Sequence, residues 1–539
     1  MKPVKISAAV LSVLLAAFLG LSVLMTSPAP GENVSATSFS ARRAAEDLKV
    51  ISKDVHTNMD AAAIGEVRTY LMETLEKIGL TVTTRAYEGD YQTKRYTGHF
   101  TAEDIVGTLK GKSGRSLLLV AHYDSNPGLG LGESPGSHGA SDDGYGVSVV
   151  LEVLRCVAAQ GIPENTLRVV FTDAEETTML GSSAIAGDAE FNAAASDAVF
   201  NIESRGLSGP SILFETSTGN AALIDFYAKN NPHPASWSLA TDVYRIMPNY
   251  TDFTAFISQG MRGLNFSNLY KIEDNHTARD LYENISLSAI QDYGEQVLPL
   301  VSAFAFGNVP ETFEASGDAA WFTLARGVFV HFPAGLNWAF LGLAAALLLI
   351  YLVLAVRRGK CRLRSLFRTF AYLGAALMTA AVGTGLAMLL SKILGLTYDL
   401  TNLVGLSAFE TITVALVLIL WLMLALYGRR FIKKGGTYEA LVIPAILLSV
   451  LLAGVFTLFL PGGAFLFSFG AIFASLLGLL ALRFPVFALF SGFLAVWVAA
   501  PVVYLLLIAL TPGALGVVLM FAAFPLFIAA PSLAAAMAK

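Results

Sequence analysis

The sequence predicts a layered α/β domain with a mixed, largely parallel sheet flanked by helices, followed by an all-α domain that crosses a membrane several times. Three observations carry this. The 539 residues are 55% hydrophobic and only 14% charged, with a mean hydropathy of +0.60, too apolar for an ordinary soluble protein. Polarity is split along the chain: six of the seven histidines lie before residue 310, whereas long uncharged runs dominate after 330. Within the polar half, short apolar runs alternate with stretches of helical periodicity, as strands joined by crossover helices require.

Residues 1–36 read as a signal anchor and linker. Lys2 and Lys5 precede an uncharged run from Ile6 to Pro30, long enough for a bilayer core, and residues 27–40 are rich in Ser, Pro, Gly, Asn and Thr. We read the segment as retained, with both lysines cytoplasmic and the following residues exported. The exported domain is placed at 37–310. Its apolar spacing from Ala41 to Ile78 predicts one or two amphipathic helices. Strands are expected at Asp104–Leu109, Ser116–Ala121, Leu167–Thr172, Ala198–Ile202 and Ile212–Phe214, and helices at Gly144–Ala159 and Ala221–Lys229. Polar clusters stand at the strand ends, where sheets of this kind gather ligands.

Residues 311–539 are assigned to the membrane domain, with seven spans near 336–355, 369–391, 403–427, 438–460, 464–482, 486–508 and 513–536. Basic loops at Arg357, Arg358, Lys360, Arg362, Arg364 and Arg368, and at Arg429, Arg430, Lys433 and Lys434, belong on the cytoplasmic side. Glu410 falls inside the third span, where a lone acid costs several kcal/mol unless protonated, paired or wet. It reads as a helix-packing contact rather than a proton site. Cys156 and Cys361 fall on opposite sides of the membrane in this topology, so the exported domain relies on its own core, which about 270 residues can supply. A net charge of −5 without a basic stripe excludes a nucleic-acid partner.

Five polar islands carry the chemistry. In His122-Tyr123-Asp124, a histidine at a strand end has a carboxylate two residues on, suited to accept its second ring N–H and fix its tautomer. Ser141-Asp142-Asp143-Gly144-Tyr145-Gly146 closes a flexible loop and opens a helix; Asp142 is placed there to bridge two cations or simply to cap the helix. Asp173-Ala174-Glu175-Glu176 ends an apolar strand with adjacent acids; if Glu176 ligates metal, Glu175 is free to take a proton from the attacking water. Asn201-Ile202-Glu203-Ser204-Arg205 offers a carboxylate after a buried strand, and Asn275-His276-Thr277-Ala278-Arg279-Asp280 offers a second histidine. Arg205 and Glu215, just past strand ends, are candidates for holding a substrate terminus, with surface ion pairing as the alternative. His56, His99, His138, His233 and His331 lack such company and read as structural or surface groups.

In order and spacing these islands resemble the M28 family of zinc aminopeptidases: a His-x-Asp, an Asp-Asp-Gly, a Glu-Glu, an Asn-x-Glu and a His-Thr-x-x-Asp, over about residues 40–305. The resemblance implies two zinc ions per chain, one on His122 and Glu203, the other on Glu176 and His276, with Asp142 bridging. It further implies Glu175 as general base, Asp124 orienting His122, and Asp280 in support behind the ligands. The layout resembles the multi-spanning branch of M28, which includes endoplasmic reticulum metallopeptidases and vacuolar membrane proteases. Two positions depart from the pattern: Glu203 stands where many soluble members have Asp, and Asn275 replaces the tyrosine that often steadies the oxyanion. For that role Tyr123, Arg205 and Tyr250 are candidates. Asn33, Asn249, Asn265, Asn275 and Asn284 are formal glycosylation acceptors, and a glycan at Asn275 would crowd the metals. The expectation is therefore a bacterial plasma-membrane aminopeptidase with an extracytoplasmic catalytic domain, peptides as substrates and lipid around its helices. A carboxypeptidase, a glutaminyl cyclase, or a transporter or scaffold with a peptide-binding domain are the alternatives.

Overall fold

The computed structural model describes the chain apart from residues 1, 26, 33, 94–95, 129–135, 193–195, 248, 308, 316, most of 363–405, 510–514 and 539. It comprises two units, Met25–His331 and a second made of Met1–Leu24 with Phe332–Lys539.

After the N-terminal helix α1 (Lys2–Leu21), which belongs to the second unit, the first unit opens with α2 (Ala41–Ile51) and α3 (Ala61–Ile78). Each has a side-chain cap. The Ser40 hydroxyl accepts from the Arg43 N–H, and an Asp60 carboxylate oxygen accepts from the N–H groups of Ala62 and Ala63. Helix α3 stops at Gly79, whose φ of +107° lies where only glycine is unstrained.

The chain then alternates: β1 (Thr81–Gln92), β2 (Thr97–Leu109), β3 (Ser116–His122), α4 (Gly144–Gln160), β4 (Thr166–Thr172), α5 (Leu180–Gly187), α6 (Ala189–Asn192) and β5 (Ala198–Ile202). It continues through β6 (Ile212–Thr216), α7 (Ala221–Asn230), α8 (Ser238–Ile246), α9 (Asp252–Ser258), β7 (Gly263–Ser267), α10 (Leu287–Ala305), β8 (Ala319–Ala325) and β9 (Val328–Pro333). Seven strands make one sheet in the order β1-β2-β4-β3-β5-β7-β6, and β8 pairs with β9 apart from it. The pairs β4/β3, β3/β5 and β5/β7 are parallel; β1/β2, β2/β4 and β6/β7 are antiparallel.

Strands β3 and β4 are buried at every position, as central parallel strands covered on both faces must be. Along β3, Leu117, Leu119 and Ala121 enter one core with Leu48 of α2, Val150 of α4 and Val297 of α10. Leu118 and Val120 enter the opposite core with Ile185 of α5 and Phe253 and Phe256 of α9. The period of two thus distributes one apolar run between two helical layers. The expected strands at 116–121, 167–172 and 198–202, and the helices at 144–159 and 221–229, match these elements within a residue or two, and Asp104–Leu109 is the second half of β2. The ends of β3, β4 and β5 open on one edge of the sheet, and the residues that follow them meet there.

The second unit is helical. Among the described residues, seven helices are long and apolar enough to cross a membrane: Pro3–Met25, Ala334–Arg357, Ala415–Lys433, Tyr438–Phe459, Pro461–Ala481, Pro485–Ala509 and Phe521–Ala538. Small residues let their backbones approach closely. A Cβ on Gly20 would collide with the Trp497 carbonyl oxygen, and one on Gly492 would collide with the Ala529 Cβ. Most of the expected span at 369–391, and the Glu410 side chain, lie outside the described residues.

Candidate metal centre

His122, at the end of β3, is 1% exposed. Its Nδ1 lies 3.0 Å from the Asp124 carbonyl oxygen and 3.5 Å from the Asp124 carboxylate, which turns Nε2 inward, 3.1 Å from Asp142 Oδ1 and 3.7 Å from Glu203 Oε1. The other Asp142 oxygen, Oδ2, lies 3.0 Å from His276 Nε2, and that nitrogen lies 3.1 Å from Glu176 Oε2. Asp142 therefore stands between two donor sets, with one carboxylate oxygen turned to each. His276 holds φ +55°, a left-handed conformation that costs a non-glycine residue on the order of 1–3 kcal/mol. Its N–H donates to Asn275 Oδ1 at 3.0 Å, which commits that oxygen to the local backbone.

Buried acids behind the cluster fix its loops. The Asp124 carboxylate accepts from the N–H groups of Glu175 at 3.0 Å and Glu176 at 3.2 Å. Asp280 accepts from the Ser141 N–H at 2.6 Å, the Asp142 N–H at 3.2 Å and the Ser137 hydroxyl at 3.2 Å. Tyr293 donates its hydroxyl to the Glu203 carbonyl at 2.6 Å. Gly146 is needed for close approach: a Cβ there would overlap the Ile202 carbonyl oxygen, so its absence lets the start of α4 seat against the end of β5 and bring Asp142 to Glu203. The Asp142–Asp143 peptide bond is cis.

The electrostatics are those of a site built for cations. Burial pushes the Glu175 and Asp143 carboxyls well above the usual range, and the Glu203 charge adds to the effect. Burial also pulls His276 down, but Glu176 and Asp142 outweigh it and bring that imidazole up to about 10. His122 is likewise raised, against burial, by Asp124, Asp142 and Glu203. Two buried oxygens, Glu176 Oε1 and Asp143 Oδ2, have no hydrogen-bond partner. Donor atoms of His122, Asp142 and Glu176 lie within 4.8 Å of one another, as do those of His122, Asp143 and Glu203. Imidazole nitrogens mixed with carboxylate oxygens suit zinc, and the residues present fit that ion.

His122, Asp142, Glu176, Glu203 and His276 thus converge, with Asp124 and Asp280 behind them and Glu175 adjoining. Arg205 is half-buried near the cluster and makes no hydrogen bond or ion pair among the described residues, although it feels Glu203, Asp142 and Glu175 electrostatically. Glu215 is 3% exposed and accepts from Asn265 Nδ2 at 2.9 Å. Three further groups carry no assignment from sequence. Asp143 brings an unpartnered oxygen, Asn126 Nδ2 donates to Glu176 Oε2 at 2.8 Å, and the Tyr244 hydroxyl is buried without a partner. Asn126 lay within reach of the His122 island; Tyr244 carried no local signal.

Residues 104–301 match the model for Peptidase family M28. The chain is 29% identical over 242 residues to a vacuolar membrane protease of Vanderwaltozyma polyspora, covering 40% of this chain and 25% of that protein. It is 28% identical over 221 residues to endoplasmic reticulum metallopeptidase 1 of Rattus norvegicus, covering 39% and 24%. The match thus spans about a quarter of the length of these curated relatives. Among solved structures, a Zn-dependent exopeptidase from Parabacteroides distasonis aligns over 50% of this chain and 99% of that one, at 21% identity and a TM-score of 0.39. The chain therefore carries a Peptidase family M28 domain, similar to those of the endoplasmic reticulum metallopeptidases and vacuolar membrane proteases.

Proposed function

We propose that this chain is a membrane-bound, zinc-dependent aminopeptidase that holds two zinc ions. His122 and Glu203 would hold one ion and Glu176 and His276 the other, with Asp142 shared. One observation carries the reading: the two oxygens of Asp142 face opposite histidines, 3.1 Å and 3.0 Å away. When bound, zinc polarises the scissile carbonyl and acidifies the attacking water.

The remaining work falls to the protein's own groups. Glu175 takes a proton from the water and returns it to the leaving amine nitrogen. Asp124 keeps that carboxylate aimed by holding the Glu175 and Glu176 N–H groups. Asp280 fixes the loop that presents Asp142. Arg205, uncommitted beside the cluster, is available to substrate, whereas Glu215, tied to Asn265, acts through the packing of β6 on β7.

The proposed setting is a bacterial plasma membrane with the catalytic domain outside. The 0% exposure of Asn265, whose amide is committed to Glu215 and Thr251, supports a compartment without glycosylation machinery. The test is elemental analysis of the zinc-loaded protein together with digestion of a peptide library. Two zinc ions, stepwise release of N-terminal residues, and loss of both ions in Asp142→Ala are expected. At most one zinc in the parent protein would refute the shared-carboxylate arrangement.

A further inference from the structure

A metal ligand is only as good as its orientation, and the groups that converge here are held in different ways. His122 is aimed by Asp124, and the Asp142 backbone is held by Asp280. Glu203 continues strand β5, where its N–H donates to the Phe266 carbonyl at 2.9 Å. Glu176 has no such frame. It lies in the turns after β4, between Ala174 at φ +63° and Met179 at φ +53°. Asp124 holds its N–H, which places the backbone but leaves the side-chain torsions to be fixed by contact.

Asn126 makes that contact. Its Nδ2 donates to Glu176 Oε2 at 2.8 Å, the same oxygen that lies 3.1 Å from His276 Nε2, while Glu176 Oε1 is buried without a partner. Among the described residues, neither Asp142 nor Glu203 accepts a side-chain hydrogen bond from outside the cluster. The Asn126 amide has one way to face: Oδ1 accepts from the Gly128 N–H at 2.9 Å, which commits the other end to donate. The backbone beneath it is equally fixed. Asn126 is 2% exposed, its carbonyl accepts from the Ser137 N–H at 2.8 Å, and the adjoining Ser125 N–H donates to the His56 carbonyl at 3.2 Å. Ser137 in turn donates its hydroxyl to Asp280, the acid that holds the Asp142 N–H. The neck formed by Asn126 and Ser137 thus joins the support of Glu176 to that of Asp142.

We propose that Asn126 is a positioning residue for Glu176, and through it for the one zinc ion that Glu176 and His276 would hold. This rests on the two-zinc reading above. An amide donor on the carboxylate fixes its direction before an ion arrives, so less ordering remains for binding to impose. The position at His122 and Glu203 gains nothing from this contact, and the two ions therefore differ in what retains them.

The test uses the full-length protein in nanodiscs, with stepwise zinc affinities read by competition with a chromogenic chelator. Asn126→Ser keeps a hydroxyl to accept the Gly128 N–H but ends one bond short of Glu176, which separates the turn from the ligand contact. It should weaken one zinc ion about 10- to 100-fold and leave the other within about threefold, and Asn126→Ala should do no more. In a Glu203→Ala background, Asn126→Ser should cost the remaining ion the same factor. In a Glu176→Ala background it should cost nothing further, because the carboxylate it holds is gone. Equal losses in both backgrounds, or from both ions, would overturn the assignment by revealing a general loosening of the fold. Unchanged affinity in Asn126→Ser beside a loss in Asn126→Ala would overturn it too, by assigning the effect to the turn at Gly128. A parent protein that holds two zinc ions yet cleaves no peptide would end the peptidase reading and leave this role standing, whereas a parent with at most one ion would remove both.

Discussion

Asp124 was legible as the partner of His122 because it lies two residues away, but its carboxylate also accepts from the N–H groups of Glu175 and Glu176, a tie that only folding creates. Asp124→Ala should therefore disturb both halves of the cluster and weaken zinc binding about 10- to 100-fold, measured by competition with a chromogenic chelator. Glu175→Gln should keep both zinc ions and lower kcat by about 100- to 10,000-fold, since it removes a proton carrier and no ligand. Glu215 titrates within electrostatic reach of Glu203. Burial holds its carboxyl up at about 7 against an ordinary 4.5, only partly offset by the Asn265 hydrogen bond. The folded protein thus keeps a proton that the unfolded chain gives up. The associated stability is complete below pH 4.5 and is lost as pH rises through about 7. Glu215→Gln should be more thermostable than the parent at pH 8, by on the order of 1–3 kcal/mol, and no different at pH 4. Tyr244 was illegible because α8 is an ordinary amphipathic helix in sequence and only its packing on β6 places the hydroxyl.

Among elements, the central strands declared themselves through uninterrupted apolar runs, as in Leu117–Ala121 and Leu167–Phe171. The hairpin partner β1 did not. Its residues alternate between exposed and half-buried, so Thr81–Gln92 carries no apolar stripe, and its register with β2 depends on a strand later in the chain. Helix positions separate in the same way. Gly65, inside α3, has open space where a Cβ would stand, with nothing within 4 Å, whereas a Cβ on Gly146 would run into the Ile202 carbonyl. Gly65→Ala should stabilise the protein by about 0.4–1 kcal/mol in thermal unfolding, through the lost freedom of the unfolded chain. Gly146→Ala should destabilise it by about 1–3 kcal/mol and reduce zinc affinity, because the start of α4 must move away from β5.

At the scale of the whole molecule, the membrane half was legible from hydropathy alone, and its small residues now have a reason in close helix contact, as at Gly20 and Gly492. Helix packing was not legible, since uniformly apolar helices show no face to read. The basic loops make the topology testable: single cysteines beside Arg362 and Arg430, in a background lacking Cys156 and Cys361, should resist impermeant maleimide in intact cells, and a cysteine at Thr37 should react. The strand order has a consequence for synthesis. The central strand β3 ends in His122, but β7 ends at Ser267 and His276 comes later still, so a chain leaving the ribosome holds the first half of the cluster long before the second. With domains maturing as units during translation, the proposed site stays incomplete until most of the unit Met25–His331 has emerged. Assembly of the proposed site is then a late event in synthesis, following most of the sheet that carries it.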